Sequence, residues 1–259
     1  MGAVSQPDRS GGVQSLDRAF ALLEHMADAG GAVALSELAT RSGLPLPTIH
    51  RIVRTLVASG YVRQLPSRRY ALGPRLIGLG EAASRMLGEW ARPQLTELVD
   101  QAGETANLAM LDGDAVVYVA QVPSRHSMRM FTEVGRRVPV HCTGVGKVLL
   151  AQLPSGEVRA MMARAGMAAQ TPHTITDPDR LERELERIRA QGYAVDDAEQ
   201  ELGVRCVAVA VPGGPASTAL SVSGPDTRVT WAAVERIVPM LQAAAAALAG
   251  HLAARGAMA

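Results

Sequence analysis

The spacing of apolar positions changes period along the chain, and the changes divide it into segments. In SLDRAFALLEHMADAGG, Leu16, Ala19, Phe20, Leu23, Met26 and Ala27 recur every three or four residues. That spacing predicts a helix capped by Ser15 and stopped at Gly30–Gly31. LSELATRSG predicts a short second helix capped by Ser36, with Leu35, Leu38 and Ala39 turned inward and Gly43 reversing the chain. LPLPTIHRIVRTLVASG predicts a third, with Ile49, Ile52, Val53, Leu56 and Val57 as its apolar stripe and Gly60 as its stop. Its two prolines suit a first turn, where no backbone donor is needed. YVRQLPSRRYALG then alternates with period two about a Pro-Ser turn, which predicts two short strands with Arg68 and Arg69 at the tip.

Further on the periods mix. GPRLIGLGEAASRMLGEWARPQLTELVDQAG reads as a linker helix loosened at Gly88, then an amphipathic helix ending at Gly103. TANLAML and AVVYVAQV predict strands joined by DGD, and SMRMFTEV a further strand-like piece. Helices are predicted at GKVLLAQL, GEVRAMMARAG and DPDRLERELERIRAQG, strands at RCVAVAVPG and TALSVSGP, and a long helix at TWAAVERIVPMLQAAAAALAGHLAA. The result is an α+β chain with antiparallel pairing. Its expected divisions are a disordered start over 1–12, a first domain of three helices and two strands over 13–73, a linker helix over 74–88 and a second domain over 89–255.

Charge sharpens this outline. The net charge is only +1, yet no Asp or Glu occurs between Glu37 and Glu81, an interval holding Arg41, Arg51, Arg54, Arg63, Arg68, Arg69 and Arg75. That local positive potential points to a polyanion. On the third helix the apolar stripe leaves Thr48, His50, Arg51, Arg54 and Thr55 outward, which is the pattern of a helix-turn-helix whose second helix reads the major groove. The candidate contacts are Ser36, Pro47, Thr48, His50, Arg51 and Arg54, with Arg68 and Arg69 on the wing. Aromatic residues are 3% of the chain, which disfavours a base-stacking single-strand binder and leaves double-stranded DNA as the target.

Other classes recede. No apolar run reaches the ~18–20 residues of a membrane span, and the start lacks a signal-peptide pattern, so a cytoplasmic protein without membrane contact is expected. Cys142 and Cys206 lack CxxC spacing, which argues against a disulfide framework or a cysteine zinc site. HCTGVGKVLL, residues 141–150, suggests a phosphate loop, but His141 stands where a Walker loop needs its first glycine, and Val148 follows Lys147. The Rossmann spacing fails at Leu149. His141 beside Cys142 suggests a nucleophile, yet neighbours on extended chain point to opposite faces, and no acid is identifiable as orienting partner. The competing classes are a cysteine hydrolase and a structural chromatin binder. No metal or cofactor is expected.

VQSLDRAFALLEHMA, LSELATRSGLPLPTIHRIVRTLVASGYV and RRYALGPRLIGLG resemble the DNA-binding half of IclR-family transcriptional regulators. HCTGVGKVLLA, GYAVDDAEQELGVRCVAVAV and ALSVSGP resemble that family's effector domain. The resemblance implies a winged helix-turn-helix joined by a linker helix to a GAF-like (profilin-like) effector-binding domain, in homodimers or homotetramers. It implies a small-acid pocket using the backbone amides of Gly144 and Val145 with Asp196, Cys206, Ser221 and Ser223, and a structural Lys147. The run from GETANLAML to FTEVGRRV resembles regulators of allantoin use, which makes glyoxylate or an allantoin-type ureide the expected effector of a repressor.

Overall fold

Gly43, in the left-handed region at φ +67, turns the chain between two short helices, as the sequence predicts. It sits in the first of two compact units, which part between Ala83 and Ser84. The computed structural model describes residues 13–130, 133–213 and 217–256. The start expected to be disordered, 1–12, lies outside them.

The first unit contains α1 (Gln14–Asp28), α2 (Leu35–Ser42), α3 (Leu46–Ala58), β1 (Val62–Gln64) and β2 (Tyr70–Leu72). The two strands pair antiparallel and Val33 bridges to Tyr70. Leu22, Met26, Val33, Leu38, Ile49, Val53 and Val62 form its core. Two caps differ from expectation. Val13 holds the N-cap of α1 and Ala34 that of α2, so Ser15 and Ser36 lie inside the first turns. In place of a serine cap, Glu37 reaches back to the Ala34 amide at 3.1 Å. The α1 stripe is also rotated. Leu22 and Met26 face the core, while Leu16 and Phe20 are 55% and 62% exposed. α4 (Arg75–Leu87) follows, where the linker helix is expected.

The second unit adds α5 (Arg92–Ala102), β3 (Thr105–Asp112), β4 (Ala115–Val122), β5 (Arg137–Pro139), α6 (Gly144–Leu150), α7 (Ser155–Ala165), α8 (Pro178–Gln191), β6 (Ala194–Asp197), β7 (Val204–Val211), β8 (Thr218–Pro225) and α9 (Trp231–Gly256). The strands form one antiparallel sheet in the order β5-β4-β3-β8-β7-β6. The strand expected over SMRMFTEV does not form among its described residues; pairing resumes only at Arg137.

The pleat sorts residues by size. Leu108, Val207, Val209, Leu220 and Val222 pack with α5 and α9. Ala109, Ala194, Ala208 and Ala219 face α6, α7 and α8, and their small side chains let α6 settle close to the sheet. Within α9, Trp231–Gly250 is apolar and long enough to cross a membrane by length and composition, which corrects the reading that no such run exists. Val234, Ile237, Leu241 and Leu248 are buried against the sheet, as in the core helix of a domain.

Candidate DNA interface and ligand pocket

One side of α3 carries Ile49 and Val53 into the core. The opposite side presents Pro47, His50, Arg51 and Arg54, all exposed, within two helical turns. Thr48 is half-buried and, with Arg51 and Thr55, lines a groove against α1. Past β1, Leu65 to Arg69 close a three-residue hairpin loop. The Arg68 amide donates to Leu65 O at 2.9 Å, and the Leu65 amide to Arg69 O at 2.8 Å. Such loops place their last residue in the left-handed region, and Arg68 occupies it at φ +61 with its side chain in solvent.

Arg69 departs from its expected place at the wing tip. Its guanidinium turns inward, donating to Ala32 O at 2.7 Å and to Glu37 Oε2 at 2.8 Å. The Ala34 amide first, then Arg69, hold the Glu37 carboxylate below the usual range. Arg69 therefore fastens the wing to α2. Ser36, expected as a cap, is an exposed residue of the α2 first turn.

In the second unit the sheet register gathers side chains distant in sequence. Asp196 pairs with Cys206, Cys206 with Ser223, and Ser223 with Thr105. Two residues along, Ala194, Ala208, Ser221, Asn107 and Gln121 form the next row. Directly paired residues share a face and the side-chain period is two, so both rows face α6. Gln121 Nε2 donates to Asn107 Oδ1 at 2.9 Å, and Asn107 Nδ2 to Ser221 Oγ at 3.4 Å. Ser223 and Ser221 lie close enough to lower the Cys206 thiol against the effect of burial.

α6 covers the ledge. Thr143 caps it by accepting from the Gly146 amide at 3.1 Å. A Cβ on Gly144 would sit 3.3 Å from Cys206 Sγ, so this glycine lies directly over the polar row. A Cβ on Gly146 would lie 2.2 Å from Val140 O, so the second glycine of GVG serves close packing rather than a phosphate. Thus the structure brings together Gly144, Val145, Asp196, Cys206, Ser221 and Ser223, all buried. It adds Thr105, Asn107 and Gln121, which sequence reasoning missed. For Thr105 and Asn107 the signal was the period-two polar alternation in TANLAML; what was lacking was the register that sets β3 beside β8 and brings Gln121 of β4 opposite Asn107.

The electrostatics are those of a buried acidic corner. Lys147, 1% exposed, donates to Val195 O at 2.6 Å and pairs with Glu199. Asp196 Oδ1 accepts the Glu199 and Gln200 amides at 2.8 and 3.2 Å. Burial, then the neighbouring Glu199, push the Asp196 carboxyl up to about 7. Because the unfolded chain titrates near ~3.9, this group opposes folding progressively as pH rises from about 4 to about 7. Asp196→Asn, which keeps an accepting oxygen, is therefore expected to raise Tm relative to wild type at pH 8 but not at pH 4. A difference independent of pH in thermal melts would remove that assignment.

Burial, then Asp196, also push the Cys142 thiol up to about 12 and Cys206 to about 11, so neither supplies a thiolate at neutral pH. Cys142 donates to Gln200 Oε1 at 3.0 Å, whereas His141 Nε2 donates to Ala168 O at 3.1 Å. No nucleophile–base pair exists between them. Among the described residues no cluster of His, Cys, Asp and Glu could hold a metal ion.

A winged helix-turn-helix followed by an α+β domain with a buried polar ledge is the architecture of a ligand-responsive transcriptional regulator. Residues 15–66 match the IclR helix-turn-helix domain and residues 81–249 the bacterial transcriptional regulator IclR C-terminal domain. The chain is 38% identical over 235 residues to the transcriptional repressor IclR of Escherichia coli K12, covering 88% of this chain and 86% of that one. It is 33% identical over 230 residues to the transcriptional repressor AllR of Klebsiella pneumoniae, covering 87% and 85%. An IclR homolog from Microbacterium hydrocarbonoxydans, solved with 4-hydroxybenzoate, superposes with a TM-score of 0.77 at 27% identity, covering 93% and 99%. The protein belongs to the IclR family of bacterial transcriptional regulators, and so binds DNA and a small-molecule effector.

Proposed function

We propose that this chain is a repressor that releases its operator when a small polar acid or ureide, glyoxylate or an allantoin-type compound, occupies the ledge beneath α6. The observation that carries the reading is the composition of that ledge. It offers hydroxyl, amide, thiol and carboxyl groups, and its neighbouring cation, Lys147, is already committed to Glu199 and Val195 O. Such a site favours a compact ligand that both donates and accepts hydrogen bonds over a multiply charged anion. The Gly144 and Val145 amides would hold the ligand's acceptor end, and Asp196, near neutrality in its titration, its donor end. The 4-hydroxybenzoate in the Microbacterium relative supports a carboxylate ligand class.

In this reading α3 enters the major groove with Pro47, Thr48, His50, Arg51 and Arg54, Ser36 lies toward the backbone, and Arg68 reaches it from the wing. Arg69 sets the wing's position. The working divisions are residues 13–73 for DNA binding, 74–88 for the linker helix and 89–255 for the effector domain. Exposed Leu16 and Phe20 on α1, Val13 at its N-cap, and Ile77 and Leu79 on α4 support homodimers or homotetramers, and membership of a family of bacterial transcriptional regulators supports action in the cytoplasm. By linkage, an effector that weakens DNA binding is itself bound less tightly by the DNA complex.

A mobility shift on DNA upstream of the protein's own coding region, with and without glyoxylate, allantoin and allantoate, tests the reading. Release by one of them supports it; DNA binding unaffected by any of the three refutes the effector assignment. Ser223→Ala should abolish most of the thermal stabilisation that the active compound gives. Equal shifts in variant and wild type would take Ser223 out of the pocket.

A further inference from the structure

On the opposite face of the sheet, between the C-terminal end of α5, the segment after β4 and α9, lies a cavity of about 220 Å3. Glu104, 4% exposed, contributes its carboxylate to it. Arg228 grips that carboxylate through Nε and Nη2, the latter at 2.9 Å, and Nη2 also donates to Met128 O at 3.0 Å. The acid is therefore neutralised, and Arg228 Nη1 keeps no partner among the described residues. Two further groups with nitrogen donors line the same cavity, Arg236 from α9 and His126 from the segment after β4. Neither side chain has a protein partner among the described residues. With Glu104 and Arg228 cancelling, the cavity carries a net positive charge from Arg236. Val229, Ile237 and Met240 supply an apolar wall, which strengthens an ion pair formed there.

We propose that this cavity is a second ligand site, separate from the ledge under α6, and that it takes a small oxyanion, a carboxylate or a phosphate. Arg236 and the free Nη1 of Arg228 provide donors suited to an oxyanion's planar or tetrahedral oxygens, and His126 adds a third. The volume is below the ~300–1,000 Å3 usual for drug-sized ligands, which limits the occupant to an ion the size of phosphate or a short dicarboxylate. The site does not depend on the identity of the effector.

The test is a thermal-shift titration of the full chain with inorganic phosphate and, separately, with succinate, at ionic strength held constant with chloride. The wild type should show a saturable rise with one anion or both, about 5 °C at a hundredfold excess over Kd. Whichever anion acts identifies the source. Arg236→Gln should raise the half-saturation concentration about tenfold, and Ser223→Ala should leave it unchanged. His126→Gln provides a second, independent weakening should Arg236→Gln alter α9. A linear rise equal in wild type and Arg236→Gln, the behaviour of an excluded salt, overturns the site. So does the absence of any response, or a response that Ser223→Ala abolishes.

Discussion

Methionine in place of Lys147 is expected to destabilise the second unit by about 3–5 kcal/mol, the range for removing one partner of a buried ion pair. Lys147 is the chain's single lysine. It lies within a cluster of three acids, contacting Glu199, standing 3.7 Å from Glu184, and lowering the Asp196 carboxyl against the effect of burial. Arg187 neutralises Glu184 at 2.7 Å, but among the described residues Glu199 Oε2 has no hydrogen-bond partner. Without the ammonium, Glu199 must be buried charged or take up a proton. Lys147 Nζ also bonds Val195 O, so it fastens α6 to β6 and thereby seats Gly144 above Cys206. Urea unfolding is the measurement. Adding Glu199→Gln to Lys147→Met should recover part of the loss, since a neutral pair leaves no isolated charge. Wild-type stability in the single variant would show that the pair contributes nothing.

Arg54→Ala should weaken operator binding by about 5- to 150-fold, the effect of about 1–3 kcal/mol for a lost base contact in the major groove. Arg54 is exposed on the face of α3 opposite Ile49 and Val53, so Tm should not move. Gel-shift titrations on the operator and on an unrelated duplex separate the two roles open to it. A base contact loses more on the operator; a phosphate contact loses equally on both and flattens the salt dependence by about one ion. Unchanged binding to both duplexes would remove Arg54 from the interface.

The helix-turn-helix was legible because its signals are local. Turn glycines, a proline-rich helix start and an acid-free run of arginines all lie within about forty residues. What misled there was α1, whose apolar residues occupy two faces. The stripe through Leu16, Phe20, Leu23 and Met26 passes over Leu22, and it is Leu22 with Met26 that took the core. Arg69 could not be assigned without its contacts, because Glu37 and Ala32 are 32 and 37 residues away. In the second unit Ser221 and Ser223 could be placed on one face by alternation. The ledge itself depends on register between β3 and β8, which no local pattern encodes. Lys147 follows the same logic. The family resemblance marked it as structural, while its partner Glu199, 52 residues on, is recognisable only in three dimensions.

The strand order has a consequence for the chain's own synthesis. The turns of the first unit join neighbours, so its helices and wing can pair as soon as they emerge from the ribosome. The ledge cannot assemble that way, because its Asn107–Ser221 contact closes a loop of 114 residues at the centre of the sheet. Contacts of such separation form slowly. During translation, the fold of the first unit can therefore be complete while the ledge of the second still waits for β8 to be made.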